Sequence, residues 1–366
     1  MRYYLIAGEA SGDLHGSNLI RALKATDPKA EMRCWGGDKM AEAGATLVKH
    51  YRELAFMGFV EVISHLPEIL KNLKSCKQDI LNFRPDVLVL IDYPGFNLRI
   101  ASWAKKRGIK VCYYISPQVW AWKESRVKKI KASVDKMLVI LPFEKAFYQK
   151  HHFDAIYVGH PLAEIVNKEL QQPPKPLSDK PVIALLPGSR QQEIRQKLPV
   201  MLSVVRHFPD YQFIVAKAPS MDALFYEPFM NDYPNVGVLE GRTYDLLKRA
   251  TAALVTSGTA TLETALFGVP EVVCYKGAAL SYYLARKLIK VKYISLVNLI
   301  LDKPAVKELI QNEFNTHNLM VELKALLFDA EKKEALQSDY TRLWELLAER
   351  DSSKKAAEEI VALAGG

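Results

Sequence analysis

The sequence predicts an α/β protein made of two doubly wound parallel sheets that face each other across a cleft. Short runs rich in valine, isoleucine and leucine alternate with amphipathic stretches along the chain, and this alternation is typical of βαβ units. A proline-rich segment, residues 171–180, interrupts the alternation once, and the strand–helix order restarts after it. A chain of 366 residues is long enough for two domains, each with its own core.

The interruption sets the expected domain boundaries. We expect an N-terminal α/β domain over residues 1–170, a linker over residues 171–180 and a C-terminal α/β domain over residues 181–335. The remainder, residues 336–366, is predicted to be helical because alanine, leucine, lysine and glutamate recur there at i, i+4 spacing.

Composition narrows the choice of partner and compartment. The formal net charge of +9 suits an anionic partner, which can be nucleic acid, anionic lipid or a phosphorylated substrate. The four cysteines are far apart and form no metal-binding spacing, which predicts reduced thiols in the cytoplasm. No apolar run has the length of a signal peptide or a membrane span, so we expect any membrane contact to be peripheral.

Two strands of the N-terminal half end in acidic turns. The first, residues 3–7, leads into a glycine-rich turn that contains Glu9, and its spacing does not match the dinucleotide motif G-x-G-x-x-G. The second, residues 86–91, ends at Asp92, at the strand end where open α/β sheets bind their ligands. Each turn can also be an ordinary strand-to-helix connection.

The stretch from residue 56 to residue 73 has more apolar residues than one face of a helix needs, and lysines follow it. We interpret it as a surface that meets lipid or acyl chains, although a helix packed between a sheet and a neighbour explains it equally well. The residues assigned to this acceptor or membrane surface are Phe56, Phe59, Ile63, Leu66, Ile69 and Leu70.

Trp120 and Trp122 precede a basic stretch, a combination that can bind nucleic acid. Tryptophans that anchor a core beside a solvated basic helix are commoner, and we expect no nucleic-acid partner.

In the C-terminal half, two buried strands end in turns of small residues that open helices. The helix that begins near residue 260 has an N-terminus without bulky side chains, and its free amides and dipole favour a phosphate or diphosphate. Glu263, one turn into that helix, can accept hydrogen bonds from a sugar or ribose diol, whereas the alternative is a plain capped helix. The candidate donor-binding residues are Gly188, Ser189, Arg190, Ser257, Gly258, Thr259, Glu263 and Asn298.

Acids in one half and anion-binding groups in the other suit transfer from a nucleotide-activated donor. Arg190 and the helix amides would hold the diphosphate, while an acid opposite would deprotonate an acceptor hydroxyl. No Asp-x-Asp pair follows a strand, so we expect neither a divalent metal nor another cofactor.

Seven short motifs carry a family resemblance. They read AGEASGD (7–13), SPQVWAW (116–122), LPFE (141–144), LPGSR (186–190), SGTATLE (257–263), YISLVNL (293–299) and KELIQ (307–311). Together, and in this order over essentially the whole chain, they resemble the lipid-A-disaccharide synthases. That family consists of inverting glycosyltransferases of the GT-B type, with two Rossmann-like domains facing across a cleft.

The resemblance implies an enzyme of lipid A biosynthesis that joins UDP-2,3-diacylglucosamine to 2,3-diacylglucosamine 1-phosphate through a β-1,6 linkage and releases UDP. It also implies an anionic membrane surface as a partner, with the protein held peripherally at the inner face of the cytoplasmic membrane. The last helices are expected to pack back on the N-terminal domain.

By position, the resemblance implies that Asp92 is the acceptor base, with Glu9 in reserve. It implies that Arg190 and Asn298 are donor-site residues and that Glu263 is a ribose ligand. The family often has a second aspartate three positions after the first, where this chain has Gly95.

Two alternatives remain at this stage. A UDP-sugar 2-epimerase has the same fold, but it would need no acyl-binding surface, so the stretch 56–73 argues against it. A non-catalytic membrane-binding or RNA-binding protein would use the basic charge alone and would not need Asp92, Arg190 and Glu263 to converge.

Overall fold

A computed structural model of the chain describes residues 1–54, 66–278, 282, 291–347 and 351–365. The chain divides into two compact units. The first combines Met1–Pro161 with Glu349–Gly366, and the second is Leu162–Ala348.

The first unit contains a parallel sheet with the strand order β3-β2-β1-β4-β5-β6-β7. Its strands are β1 (Arg2–Ala7), β2 (Glu31–Gly36), β3 (Thr46–His50), β4 (Val87–Ile91), β5 (Lys110–Tyr114), β6 (Lys136–Val139) and β7 (Ala155–Tyr157). The second unit contains a parallel sheet with the order β10-β9-β8-β11-β12-β13. Its strands are β8 (Val182–Leu186), β9 (Gln212–Lys217), β10 (Gly237–Glu240), β11 (Ala250–Thr256), β12 (Glu271–Tyr275) and β13 (Lys307–Ile310).

Helices connect successive strands in both units. In chain order, the described α-helices are Ala10–Thr26, Asp38–Glu42, Leu66–Phe83, Pro94–Lys105, Val119–Trp122, Val127–Ser133, Pro142–Lys150, Pro161–Leu170, Gln191–Leu202, Glu227–Met230, Thr243–Arg249, Thr259–Leu266, Leu296–Leu301, Thr316–Phe328, Ala330–Leu346 and Ser352–Gly365. Single turns of 3-10 helix are formed by Tyr51–Glu53, Glu124–Arg126, Val205–His207, Ala223–Phe225 and Gln311–Glu313.

Each sheet reverses its winding direction beside its first strand. In the first sheet β1 lies between β2 and β4, and Ala7 pairs with Ile91. In the second sheet β8 lies between β9 and β11, and Leu186 pairs with Val255. Open parallel sheets bind ligands at the carboxyl ends of the strands on either side of such a switch point. The predicted fold class, α/β with two doubly wound sheets, is therefore confirmed in each unit.

Burial on both faces explains why the strands read as continuous apolar runs. Every residue of β4 is fully buried, because apolar clusters cover both faces of the first sheet. One cluster includes Tyr4 and Trp35, and the other includes Leu5 and Leu19. Within the described ranges, no helix combines the length and the apolar character that are needed to cross a bilayer.

The helix Leu66–Phe83 is fixed to the first sheet by one apolar face and one ion pair. Leu73, Cys76 and Ile80 belong to the core. Asp79 accepts two hydrogen bonds from the Arg33 guanidinium, at 2.9 and 2.7 Å, and a third from the Tyr4 hydroxyl at 2.6 Å. Bidentate pairing of this kind gives geometric specificity as well as attraction.

The helix Ser352–Gly365 completes the core of the first unit. Ala356, Ala357 and Ile360 are fully buried in the same cluster as Leu19. The Lys136 ammonium also forms a 2.6 Å ion pair with Glu359.

The proline-rich segment 171–180 lies within the second unit, as does most of the helix Pro161–Leu170 before it. The Lys248 ammonium pairs with Glu169 at 3.1 Å, and Arg249 donates a hydrogen bond to the Pro174 carbonyl at 3.2 Å. The Lys248 ammonium also donates to the Gln172 carbonyl at 3.4 Å, so Lys248 and Arg249 attach the segment, and the helix before it, to the helix Thr243–Arg249.

Candidate active-site residues

The switch point of the first sheet brings Glu9 and Asp92 to adjacent strand ends. Glu9 follows β1 by two residues, and Asp92 directly follows β4. Asp92 and Tyr93 both have left-handed backbone conformations, with φ of 43° and 49°. Two consecutive non-glycine residues in this region are uncommon, and such strain is often found at functional sites.

Three hydrogen bonds fix the backbone of Asp92. Its N–H donates to the Tyr114 carbonyl at 3.2 Å. Its carbonyl oxygen accepts from the Tyr113 hydroxyl at 2.5 Å and from the Asn97 side-chain amide at 2.7 Å. Asn97 itself is fully buried, and its amide also donates to the Ile91 carbonyl at 3.2 Å, which further fixes the turn.

The ring of Tyr93 packs over Gly8. A Cβ atom at Gly8 would lie 2.3 Å from that ring, so the glycine is required for this close approach. Tyr93 also stacks on Phe96 at 5.6 Å and donates a hydrogen bond to the Leu54 carbonyl at 3.2 Å. The turn after β4 is therefore held from several sides.

Burial raises the pKa of Asp92 to about 6, and the negative charge of Glu9 acts in the same direction. A carboxyl with this pKa is mostly ionised at pH 7 and is a stronger base than an exposed aspartate. General bases work best when their pKa is close to the working pH.

The motifs SPQVWAW (116–122) and LPFE (141–144), to which the sequence assigned no role, support the loop after β5. The Trp120 indole donates to the buried Glu144 carboxylate at 3.0 Å, and the Ser116 and Tyr148 hydroxyls are 2.7 Å apart. Burial raises the pKa of Glu144 to about 7. Ile115, which opens this loop, has a φ of 63°, a rare conformation for a β-branched residue.

The switch point of the second sheet forms a pocket of about 380 Å³. The turn after β8 supplies one wall, and the end of β11 with the helix Thr259–Leu266 supplies another. The predicted residues that line it are Gly188, Ser189, Arg190, Ser257, Gly258, Thr259 and Glu263.

Glu193 occupies the first turn of the helix after this loop. Its carboxylate accepts a hydrogen bond from the Ser189 N–H at 3.3 Å and lies 3.6 Å from the Arg190 guanidinium, which is 61% exposed. Gly188 has a φ of 121°, and a Cβ atom there would lie 2.7 Å from a Glu193 oxygen. The loop therefore already binds an anionic group, supplied by its own chain.

Glu263 lies in the pocket and is hydrogen-bonded to a residue that the sequence did not single out. The Tyr244 hydroxyl donates to the Glu263 carboxylate at 2.8 Å. Burial raises the pKa of Glu263, and the hydrogen bond from Tyr244 opposes that effect. Tyr244 does not line the pocket but contacts its lining residue Glu263, and a lone tyrosine in a short helix carries no local sequence signal.

Two residues that line the pocket were not predicted. Thr256 is 6% exposed, and its hydroxyl has no hydrogen-bond partner among the described residues. Lys217, 5% exposed, pairs with Glu240 at 2.8 Å and donates to the Met221 carbonyl at 2.6 Å. The topology explains why both residues line the pocket, because each stands at the carboxyl end of its strand.

The structure does not bring Asn298 into this pocket. Its amide donates to the Val306 carbonyl and to Glu308, both at 2.9 Å, and its carbonyl accepts from the Val306 N–H at 2.9 Å. Glu308 also accepts from the Ile294 N–H, and the Ile294 carbonyl accepts from the pocket residue Ser257 at 2.9 Å. Asn298 therefore connects to the pocket through a chain of hydrogen bonds.

The predicted acceptor or membrane surface falls partly outside the described residues, which exclude Phe56, Phe59 and Ile63. Leu66 begins a helix, and its side chain is also not described.

Ile69 is half-buried and packs against the core of the first unit. Leu70 is 57% exposed, and the neighbouring Lys71 and Lys74 are exposed as well. The Lys77 ammonium lies 5.8 Å from the centre of the Trp103 ring.

Two doubly wound parallel sheets, each with a switch point beside its first strand, define the class of GT-B folds. Solved structures share this fold. The kitacinnamycin glycotransferase aligns with a TM-score of 0.69 and 16% identity over 99% of this chain and 98% of its own. The UDP-GlcNAc 2-epimerase of Neisseria meningitidis aligns with a TM-score of 0.66 and 12% identity over 99% of both chains.

The chain belongs to the lipid-A-disaccharide synthetase family, whose model matches residues 3–363. It is 38% identical to the lipid-A-disaccharide synthase of Trichlorobacter lovleyi over 99% of this chain and 97% of that relative. It is 40% identical to the lipid-A-disaccharide synthase of Syntrophus aciditrophicus over 96% of this chain and 95% of that relative.

Membership of this family confirms the resemblance predicted from the motifs. The protein is an enzyme, a glycosyltransferase of lipid A biosynthesis. The epimerases share its fold and not its family, so the epimerase alternative is not supported.

Proposed function

We propose that the protein transfers a diacylglucosamine unit from UDP-2,3-diacylglucosamine to 2,3-diacylglucosamine 1-phosphate. The acceptor hydroxyl attacks the donor's anomeric carbon and loses its proton to a base, while the bond to UDP breaks, giving a β-1,6 linkage with inversion. The relatives' shared name supports the product class. The observation that carries the chemistry is the acid pair, Glu9 and Asp92, at the first switch point.

Asp92 is the proposed base. Three backbone hydrogen bonds and a left-handed turn fix its position, and its raised pKa of about 6 gives it the basicity that proton abstraction requires. Glu9 is close enough to raise that pKa and is the reserve candidate. While Asp92 acts as the base, the negative charge of Glu9 favours the uptake of the acceptor's proton by Asp92 as the hydroxyl attacks.

Replacing Asp92 by asparagine tests the proposal, because asparagine keeps the shape and removes the basicity. We expect turnover to fall by about 10²–10⁴-fold, with UDP affinity and melting temperature unchanged. Asp86→Asn, at the opposite end of β4, is the matched control and should keep normal turnover. Its exposed carboxylate accepts a hydrogen bond from the Arg2 N–H at 2.8 Å. Near-normal turnover of Asp92→Asn would transfer the role to Glu9.

We propose that the pocket of the second unit binds the UDP portion of the donor. Arg190 and the amides at the start of the helix Thr259–Leu266 would hold the diphosphate, and Glu263 would accept hydrogen bonds from the ribose. Glu263→Gln should weaken UDP binding by about 1–3 kcal/mol, the scale of a hydrogen bond to a charged group. An unchanged UDP affinity by calorimetry would remove Glu263 from the site.

We propose peripheral attachment to the cytoplasmic face of an anionic membrane through the start of the helix Leu66–Phe83. Exposed Leu70 beside Lys71 and Lys74 provides an apolar contact with cations at headgroup level. Leu70→Glu should reduce binding to vesicles that contain phosphatidylglycerol and leave the melting temperature unchanged. Leu224→Glu, 66% exposed in the second unit, is the control. Equal binding of both variants would refute this surface.

A further inference from the structure

The hydrogen bond between Tyr244 and Glu263 has a defined direction. Burial, followed by the charge of Glu263, raises the pKa of Tyr244 far above its usual value, so the tyrosine hydroxyl stays protonated and donates the hydrogen bond. Glu263 receives this bond through one carboxylate oxygen, Oε1. Among the residues that the structure describes, no donor is hydrogen-bonded to its second oxygen, which can accept from a ligand in the pocket.

The hydroxyl of Tyr244 is not needed for the packing of its ring. The ring lies 5.3 Å from the Phe267 ring and contacts the apolar cluster of the second unit. Those contacts would persist with phenylalanine at this position. The hydroxyl therefore acts mainly on Glu263, a half-buried carboxylate in a pocket where burial favours its neutral form.

We infer that Tyr244 is a positioning residue of the donor site: its hydroxyl orients the Glu263 carboxylate and keeps it charged, so that the free oxygen accepts from the ribose diol of the uridine nucleotide. This inference rests on the proposed ribose contact of Glu263. A carboxylate that is hydrogen-bonded on one oxygen has fewer orientations and ionises more readily than it would without that bond, and both properties improve its fit to a diol.

Tyr244→Phe tests the inference through UDP binding measured by calorimetry between pH 5 and pH 8. Loss of the hydroxyl should weaken UDP binding roughly tenfold at pH 7. It should also move the acid-side loss of affinity to higher pH, because Glu263 would protonate more readily. The fold-change in affinity that Tyr244→Phe causes at pH 7 should be smaller for 2′-deoxy-UDP than for UDP, because 2′-deoxy-UDP lacks one of the ribose hydroxyls.

Tyr226→Phe is the control. The Tyr226 hydroxyl accepts from the N–H of the pocket residue Ala218 at 3.0 Å, so its removal should lower the melting temperature without moving the pH profile. In a Glu263→Gln background, Tyr244→Phe should have little further effect on affinity. The inference would be overturned if the fold-changes in UDP affinity caused by Tyr244→Phe and Glu263→Gln simply multiplied in the double variant. An unchanged pH dependence of UDP affinity in Tyr244→Phe would overturn it as well. An unchanged affinity of Glu263→Gln alone would instead refute the proposed function.

Discussion

Replacing Glu271 by methionine is expected to stabilise the protein above neutral pH. Glu271 begins β12 and is 1% exposed, and neither carboxylate oxygen has a hydrogen-bond partner among the described residues. A buried polar group without a partner costs about 1–3 kcal/mol, and methionine removes that cost with a side chain of similar length. For a domain of this size, each kcal/mol corresponds to roughly 2–4 °C in melting temperature.

The gain should depend on pH in a predictable direction. Burial, and then the charge of Glu308, raises the pKa of Glu271 well above its ordinary range. The contribution of the protonated carboxyl to stability is fully present below the unfolded pKa of about 4.3, and it is lost as the pH rises through the folded pKa. Methionine does not titrate, so its advantage over glutamate should be larger at pH 8 than at pH 5.

Thermal melts at pH 5 and pH 8 check both expectations. Glu271→Gln separates charge from polarity, because it should abolish the pH dependence and retain the cost of buried polar atoms. Glu31→Met is the matched control: Glu31 also begins a strand, β2, but its side chain is 69% exposed, so the expected change is within about 0.5 kcal/mol. A lower melting temperature for Glu271→Met at pH 8 would mean that the carboxylate is stabilised in its charged form, and the reasoning would fail.

Three other outcomes are expected. Because Asp92 acts as a base with a pKa of about 6, turnover should fall as the pH drops below that value, and Asp92→Asn should lack this acid limb in a pH–rate profile. Arg190→Ala should lower turnover as well as UDP affinity, because charge on the leaving group grows in the transition state; a change in affinity alone would contradict that role. Replacing Phe59 and Ile63 by glutamate should release the protein from anionic vesicles at nearly constant melting temperature, whereas a large loss of stability would identify them as core residues.

The fold was predictable from the sequence because its strands are buried on both faces. A run such as Val87–Ile91 has no polar position, and its length and branched side chains distinguish it from a helix. The rules for connections between parallel strands then limit the possible topologies to those of a doubly wound sheet. The attachment of the segment 171–180 to the helix Thr243–Arg249 was not predictable, because it depends on contacts between residues distant in the chain.

The candidate site was predictable where a residue follows a strand. Asp92 and Arg190 were found in this way, since the position of a strand end is set by topology alone. Tyr244 contacts the pocket residue Glu263 from a short helix, and no local sequence pattern indicates that contact. Asn298 stands in a motif of the family, but hydrogen bonds to Val306 and Glu308 occupy its side chain, a fact that only the tertiary structure supplies.

The helix Ser352–Gly365 has a consequence for how the chain is made. Its residues Ala356, Ala357 and Ile360 fill the core of the first unit, so that core stays incomplete until this helix leaves the ribosome. At 5–20 residues per second, synthesis from Pro161 to Ser352 takes roughly 10–40 s, and the second unit is finished during that interval. The first sheet is thus translated early, and this helix can cover its core only after the second unit has been synthesised.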